Sequence, residues 1–385
     1  MTANPRTGVD VPRSFELPRF SRRHALLGAA ALLAPLEPRF ATAAPGEAPA
    51  ASGLIRLDSN ENPYGPSPAA HKAILASVTE APRYADASLT KLRALLAAHE
   101  GVPTSQLVIG TGSGELLKVA GLYVASAAPG SELVASRPTF EELPEFAQRL
   151  GLKVRWVAAD AAHRHDLSAM HAAIGDQTRL VYVCNPNNPT GTAVKRDALE
   201  AFLRSVPAAC TVLVDEAYMD FADQPGVASV APLVQQLPNL VVLRTFSKIH
   251  GLAGLRIGYA ITSPAMAERF SSFSLTWPNA TGIDAAIASF ADHAFLAQTR
   301  RAIVADRARV QAAIDKRGLA RSEAQGNFVF FDTGGPLARF QQHMLAQGIK
   351  VGRHFDGYDT WARVTIGTRH EVDRFLAALP RALQA

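Results

Sequence analysis

The feature that most constrains the fold is a repeated alternation of short apolar runs and helical patterns between residues 107 and 261. Such apolar runs are typical of strands that are buried on both faces of a parallel sheet. Helical patterns separate them, for example at Phe140–Leu150 and Arg196–Ser205. The alternation predicts an α/β fold with a mainly parallel, doubly wound sheet. The predicted strands are Leu107–Ile109, Leu133–Ala135, Val154–Val157, Leu180–Val183, Val212–Val214, Leu240–Leu243 and Arg256–Ile261.

Toward the C-terminus the pattern changes to a long helix followed by a strand, a helix, two strands and a terminal helix. This order predicts a second, smaller α+β domain. We therefore expect a large domain over residues 81–275 and a small C-terminal domain over residues 276–385. Residues 54–80 are expected to form an N-terminal arm and part of the small domain. The later segments are Phe295–Lys316, Phe328–Phe331, Leu337–Gln347, Ile349–Val351 and Arg363–Ile366.

The first 43 residues have the composition of an export signal. Arg22 and Arg23 precede the apolar stretch Ala25–Ala34, and the small residues Ala41–Ala43 follow it. A basic segment, an apolar segment and an A-x-A site in this order are typical of a secretory signal. The adjacent arginines indicate the twin-arginine type, although alanine stands at position 25, where that motif usually has a bulky apolar residue.

This signal sets the expected location of the protein. We expect residues 1–43 to direct the chain through the twin-arginine translocase to the periplasm or outside the cell, with residues 44–53 as a linker. If the signal does not function, the protein is expected in the cytoplasm. Three of the five net positive charges lie in residues 1–43, so the rest of the chain lacks the basic footprint of a nucleic-acid-binding protein. We expect no membrane-spanning helix, because no run of about 18 apolar residues occurs.

Polar groups follow the carboxyl ends of four predicted strands, which is where ligands bind in open α/β sheets. An acid buried beside a strand needs a cationic partner, and a glycine-rich helix N-terminus suits a phosphate. A lysine among other cations can become a nucleophilic amine. Together these groups describe a site for pyridoxal phosphate. They are the segments Gly110–Glu115, Asn185–Gly191, Asp215–Tyr218 and Arg244–Lys248.

Each feature alone has a simpler interpretation. The glycine loop lacks the third glycine of a dinucleotide fingerprint, because Glu115 stands there, and it lacks a P-loop ending. Taken alone, the glycine loop would be a structural turn, Asp215 would be a helix cap or part of an ion pair, and Lys248 would be an exposed lysine. The combination of all three favours the cofactor site. The histidines show no zinc-binding spacing, so no metal site is expected.

Three segments resemble the aspartate aminotransferase-type (fold type I) pyridoxal enzymes: NPNNPTG at 185–191, DEAY at 215–218 and TFSKIHGLAGLRIGY at 245–259. Three others are similar to the histidinol-phosphate aminotransferase-like branch of that family: LDSNENPYGP at 57–66, GNF at 326–328 and RVTIGT at 363–368. The similarity covers about residues 54–380. The resemblance implies the same two-domain fold and pyridoxal 5'-phosphate as the cofactor.

The resemblance also implies roles for single residues around the cofactor ring. Lys248 would form the internal aldimine and carry the proton between the substrate Cα and the cofactor. Asp215 would keep the ring nitrogen protonated. Asn188 and Tyr218 would hydrogen-bond the phenolic oxygen of the ring, and Phe140 would lie over its face.

The resemblance implies three further groups of residues. Arg363 would bind the substrate carboxylate with a bidentate fork, and Asn327 would support it. Tyr84 would reach the cofactor phosphate of a neighbouring subunit, so the protein is expected to be a homodimer. The cofactor phosphate of its own subunit would be held by Ser113, Gly114, Thr245, Ser247 and Arg256.

The expected activity is amino transfer between an L-amino acid, or a related amine, and a 2-oxo acid. A decarboxylase, racemase or lyase with the same cofactor remains an alternative, as does a pyridoxal-binding sensor without turnover. Relatives often have arginine directly after Gly-Ile-x-Val, whereas here Gly352 intervenes before Arg353. A one-residue offset on a strand changes the face, although a bulge at Gly352 would restore it. We therefore expect Arg353 to contribute little and plain α-amino acids to be better donors than histidinol phosphate.

Overall fold

The computed structural model describes residues 53–384, and the structural statements below concern that part of the chain. The predicted signal at 1–43 and all but the last residue of the predicted linker lie outside the described residues. Within residues 53–384, no helix is long and apolar enough to cross a membrane.

A seven-stranded sheet forms the centre of the structure and confirms the predicted α/β fold. All seven strands predicted from apolar runs belong to this sheet. Their bounds are Leu107–Gly110 (β2), Glu132–Arg137 (β3), Lys153–Ala158 (β4), Thr178–Cys184 (β5), Thr211–Asp215 (β6), Leu240–Thr245 (β7) and Gly258–Thr262 (β8). The strand order is β2-β8-β7-β6-β5-β3-β4, with parallel pairing except at β8, which runs antiparallel to both of its neighbours.

Both faces of this sheet are covered by apolar side chains. Along β6, Val212 and Val214 pack into the core on one face, and Leu213 packs into the core on the other. Side chains alternate between the faces of a strand, so a strand buried on both faces needs apolar residues at every position. This packing explains the continuous apolar runs in the sequence. The helices associated with the sheet are Asp86–Glu100 (α2), Ser113–Ala127 (α3), Glu142–Arg149 (α4), Leu167–Ala172 (α5), Arg196–Ser205 (α6) and Pro264–Ser272 (α7).

A second apolar core lies among the C-terminal elements and the short strand Ile55–Leu57 (β1). Residues 55–57 pair in parallel with residues 349–351, and residues 328–332 pair antiparallel with residues 361–365. Residues 55–57 therefore join the C-terminal elements in space, although most of the chain separates them in sequence. The C-terminal elements are His293–Asp315 (α9), Phe328–Asp332 (β9), Leu337–Ala346 (α10), Ile349–Val351 (β10), Trp361–Thr365 (β11) and Arg369–Gln384 (α11).

Two helices pack differently from the predicted division into domains. Pro68–Ser77 (α1) and Ala280–Ala291 (α8) pack against each other, and their residues Ala70 and Ile283 belong to one of the cores of the large sheet. The predicted domains assign both segments to the arm or the small domain. In the structure their small and branched apolar side chains help to cover the large sheet. The boundaries at 80/81 and 275/276 stay predictions.

Candidate active site

One cavity of about 580 Å³ lies where the carboxyl ends of β5, β6 and β7 face residues of the C-terminal elements. All the predicted site residues except Tyr84 and Asn327 line it. They are Ser113, Gly114, Phe140, Asn188, Asp215, Tyr218, Thr245, Ser247, Lys248, Arg256 and Arg363. The structure thus brings together groups that come from distant parts of the sequence.

Asp215 is the last residue of β6 and is almost fully buried. Its carboxylate accepts hydrogen bonds from the Tyr182 hydroxyl at 3.4 Å and the Ala217 backbone N–H at 3.1 Å. Burial raises the pKa of Asp215 to about 6, because these hydrogen bonds offset only part of the loss of hydration. A buried carboxylate of this kind is suited to a cationic partner, such as a protonated ring nitrogen.

Lys248 follows β7 and is half-buried. Its Nζ donates to the backbone carbonyl of Asn60 at 3.1 Å. Burial, together with the nearby positive charge of Arg363, lowers the pKa of Lys248 to about 8 from its ordinary value near 10.5. A larger fraction of the amine is therefore neutral near pH 7, and a neutral amine is the nucleophilic form.

The N-terminus of α3 forms a cradle for an anion. α3 begins at Ser113, and Gly112 precedes it with a φ of +84°. A Cβ on Gly112 would overlap the Arg256 guanidinium, so glycine is what allows Arg256 to approach the helix end. Arg256 Nη1 donates to Ser247 Oγ at 3.4 Å, and Thr245 Oγ1 donates to Ser247 Oγ at 3.0 Å. Free helix N–H groups, hydroxyls and a guanidinium are the donors that a phosphate requires.

Three predicted ring contacts line the same cavity. The Tyr218 hydroxyl accepts from Asn60 Nδ2 at 3.1 Å, and Asn188 Oδ1 accepts from Arg363 Nη1 at 2.7 Å. Phe140 lies before α4, because the helix begins at Glu142 and not at Phe140 as predicted. The later helix start leaves the Phe140 ring in a loop where it lines the cavity. Their roles toward the cofactor ring stay predictions.

Arg363 lies on β11 and is only 8% exposed. Besides its bond to Asn188, its Nη2 donates to the backbone carbonyl of Asp58 at 2.6 Å. Its Nε is buried and has no hydrogen-bond partner among residues 53–384. Burial lowers the pKa of Arg363 to about 10, so the guanidinium stays cationic at neutral pH. A buried cation with a free donor suits an anionic substrate group such as a carboxylate.

The arm over residues 58–62 contributes a wall that sequence reasoning did not assign. Asp58, Ser59 and Asn60 line the cavity. Asn327 is fully buried behind this wall, and its Nδ2 donates to the carbonyls of Asn60 at 3.0 Å and of Glu61 at 3.1 Å. Asn327 thus holds the arm and does not line the cavity itself. The other lining residues without a prediction are Glu142, Cys184, Ala217, Ala253, Gln341, Lys350 and Val351.

The last two residues considered in the sequence, Tyr84 and Arg353, differ in their position relative to the cavity. Tyr84 is 90% exposed and does not line the cavity of its own chain. Arg353 does line the cavity, so it is not displaced to the other face, and the alternative in which Gly352 restores its position holds. β10 ends at Val351, and the Gly352 N–H donates to the Arg363 carbonyl at 2.9 Å. A Cβ on Gly352 would lie 2.6 Å from that carbonyl oxygen, so the glycine permits the turn that directs Arg353 back to the cavity.

No group of three or more histidine, cysteine, aspartate or glutamate side chains that could hold a metal ion occurs within residues 53–384. The chemistry of the cavity is that of an organic cofactor with a phosphate and a basic ring. A doubly wound sheet with these groups at its carboxyl edge defines a pyridoxal-phosphate-dependent enzyme that acts on amino acids or related amines.

Comparison with known proteins identifies the family. A sequence profile described as aminotransferase class I and II matches residues 52–379. The chain is 41% identical to histidinol-phosphate aminotransferase 2 of Pseudomonas aeruginosa over 86% of this chain and 90% of the relative. It is 40% identical to an aromatic amino acid aminotransferase of Rhodococcus jostii over 84% and 89% of the two chains. This chain belongs to the aminotransferase class I and II family.

A solved structure supports the cofactor. The histidinol-phosphate aminotransferase of Sinorhizobium meliloti in complex with pyridoxal-5'-phosphate is 28% identical to this chain, with a TM-score of 0.78 over 86% of this chain and 91% of that structure. The predicted resemblance, the fold and the cofactor are therefore confirmed. The protein is a pyridoxal-phosphate-dependent aminotransferase similar to the histidinol-phosphate aminotransferases.

Proposed function

We propose that this protein moves an amino group between an L-amino acid, or a related amine, and a 2-oxo acid, with Lys248 as the amine that holds the cofactor covalently. One observation carries the proposal. Lys248, Asp215, the N-terminus of α3 and Arg363 converge on one cavity. When bound, the cofactor supplies an electron-withdrawing ring that stabilises negative charge at the substrate Cα.

The side chains around the cavity have separate tasks in this reaction. Lys248 Nζ would carry the proton between the substrate Cα and the cofactor, for which a pKa of about 8 is well matched to neutral pH. The Asp215 carboxylate would balance the positive charge of the ring nitrogen. Asn188 and Tyr218 would bind the phenolic oxygen, and Phe140 would cover the ring face. The α3 N-terminus, Thr245, Ser247 and Arg256 would hold the phosphate.

Arg363 orients the substrate in this mechanism. A planar guanidinium offers two parallel N–H donors to a carboxylate, which fixes both the position and the rotation of the donor. Fixing the α-carboxylate places the Cα hydrogen toward Lys248 and so supplies orientation before the chemical step. The 40% identical aromatic amino acid aminotransferase supports a carboxylate-bearing donor, whereas the histidinol-phosphate aminotransferases support a phosphorylated one.

We expect covalent capture of added cofactor to increase with pH around a midpoint near 8, because the pKa of Lys248 is lowered to about 8 and only the neutral amine reacts. The measurement is the mass of the borohydride-reduced cofactor peptide from protein stripped of its cofactor and then reloaded. Lys248→Ala should give no adduct at any pH. Lys350→Ala, at the other lysine of the cavity, should keep it. An adduct on a different lysine would contradict the assignment.

Arg363→Lys should lower kcat/KM for carboxylate-bearing donors at least about tenfold, which is about 1.4 kcal/mol of transition-state binding. Lysine keeps the charge but loses the bidentate fork, so the loss measures geometry. Cofactor absorbance should stay unchanged. Arg321→Lys, at an arginine that pairs with Asp315 outside the cavity, is the matched control. Equal kcat/KM values in Arg363→Lys and wild type would contradict the proposed binding of the donor carboxylate by Arg363.

We also propose that two chains form a homodimer in which Tyr84 of each completes the phosphate site of the other. The 90% exposure of Tyr84, outside its own cavity, supports this proposal. Sedimentation should give about twice the 41.0 kDa mass of one chain. Tyr84→Phe should weaken cofactor affinity without changing that mass. A monomer with full cofactor occupancy would exclude the shared site.

We propose export through the twin-arginine translocase, which rests on Arg22, Arg23 and the apolar stretch that follows them. Replacing both arginines with lysine should leave full-length precursor in the cytoplasm, because that route requires the arginine pair. Cell fractionation with an antibody against the protein measures this. Unchanged delivery of the double variant would exclude the twin-arginine route, and a wild-type protein found only in the cytoplasm would exclude export.

A further inference from the structure

An ion pair beside the cavity joins two segments that are distant in the sequence. Glu141 Oε2 lies 2.7 Å from Arg353 Nη2. Glu141 immediately follows Phe140 at the start of α4, and its side chain is only 17% exposed. Arg353 follows β10 and lines the cavity. A second, longer pair, Arg137 with Asp356 at 3.4 Å, joins the same two segments but does not line the cavity.

The guanidinium groups of Arg353 and Arg363 both pack against the ring of Phe355. The guanidinium carbon of Arg353 is 4.3 Å from the centroid of Phe355, and that of Arg363 is 5.3 Å from it. The positive charge of Arg353 also contributes to the lowered pKa of Arg363. Arg353 is therefore the second cation available to any anionic group that binds Arg363.

Of the three cavity-lining cations Lys350, Arg353 and Arg363, two pair with a carboxylate. Lys350 pairs with Asp58 at 2.8 Å, and Arg353 pairs with Glu141. Within the part of the chain that the structure describes, Arg363 has no carboxylate oxygen within 4.0 Å. These three cations and the carboxylates of Asp58 and Glu141 therefore carry a net charge of about +1, which matches a carboxylate monoanion. A phosphate monoester carries about −1.5 to −2 at neutral pH and would meet the Glu141 carboxylate as a like charge.

Arg353 is also held in place by contacts other than Glu141. Its Nη1 donates to the His354 carbonyl at 3.0 Å, and Gln341 Nε2 donates to the adjoining Gly352 carbonyl at 2.6 Å. The guanidinium would thus stay at the cavity after loss of the Glu141 charge, with more of its five N–H donors free. Neutralising Glu141 would then raise the net charge of this group of side chains to about +2.

We infer that Glu141 is a positioning residue that sets donor selectivity: by engaging Arg353 it makes the cavity favour amines that carry a carboxylate over amines that carry a phosphate. Glu141 acts through Arg353 and does not itself touch the substrate. This inference rests on the proposed aminotransferase function. It assigns the donor class by charge, with Arg363 for the carboxylate and the Arg353–Glu141 pair as the element that disfavours a dianion.

Two donors with the same imidazole side chain test the inference: L-histidine, which has a carboxylate, and L-histidinol phosphate, which has a phosphate ester in its place. The measurement is kcat/KM of each donor with the holoenzyme and 2-oxoglutarate, followed as glutamate formed. Glu141→Gln should raise the ratio of histidinol phosphate to histidine at least tenfold. Asp356→Asn, which breaks the neighbouring ion pair, should leave the ratio within twofold.

A double variant separates the electrostatic role of Glu141 from a structural one. Adding Arg353→Ala to Glu141→Gln should remove the gain for histidinol phosphate, because the freed cation is then absent. An unchanged ratio in Glu141→Gln, or equal losses for both donors, would overturn the inference. The same ratio change in Asp356→Asn would also overturn it, because loss of either ion pair would then act by loosening the cavity.

A binding measurement keeps the inference independent of turnover. Histidinol phosphate is titrated into the enzyme loaded with pyridoxamine 5'-phosphate, with which an amine donor cannot react, and calorimetry gives its Kd. Glu141→Gln should lower that Kd at least tenfold relative to wild type, and an unchanged Kd would overturn the inference. Absence of glutamate formation from every donor would instead count against the proposed function, so the two failures are distinguishable.

Discussion

The burial of one carboxylate at the end of the central strand is the constraint on which the site depends. Asp215 stands in register with Cys184 of β5 on one side and Leu243 of β7 on the other, so it lies inside the sheet edge and not at its surface. A charge in this position is costly without a cationic partner. The pKa of about 6 shows that the protein alone compensates only part of that cost. A cofactor with a basic ring nitrogen would supply the rest, and the α3 N-terminus would hold its phosphate.

The arm over residues 58–62 links the groups that face this cofactor. Lys248 donates to the Asn60 carbonyl, Arg363 donates to the Asp58 carbonyl, and the Asn60 side chain donates to Tyr218. The arm is fixed in turn by Asn327 and by the pairing of β1 with β10. Because the arm uses mainly backbone carbonyls, its contacts position a lysine, a tyrosine and an arginine at once. A change in the arm would therefore disturb several functional groups together.

The sequence predicts those parts of the structure whose cause is local. The strands β2–β8 follow from continuous apolar runs, and the site segments follow from polar residues placed directly after those strands. β1 has only three residues and a partner almost 300 residues away, so no local pattern identifies it. The arm contributes carbonyl groups, which every residue possesses, and so has no signature of its own. The position of Arg353 depends on the end of β10 at Val351 and on the close approach of Gly352 to Arg363, neither of which periodicity can reveal.

The charges of the cavity also connect substrate binding to the chemistry of Lys248. Burial is the main cause of its lowered pKa, and the Arg363 charge is the second. A carboxylate bound to Arg363 cancels part of that positive charge, which raises the pKa of Lys248 toward its ordinary value. The amine is therefore easier to deprotonate while no anionic group is bound to Arg363. In the proposed mechanism this would favour its role as a nucleophile before a donor binds, and it would make the amine a stronger base for the Cα proton afterwards. In that mechanism one arginine would serve both recognition and proton transfer, and within residues 53–384 its guanidinium has no carboxylate oxygen within 4.0 Å.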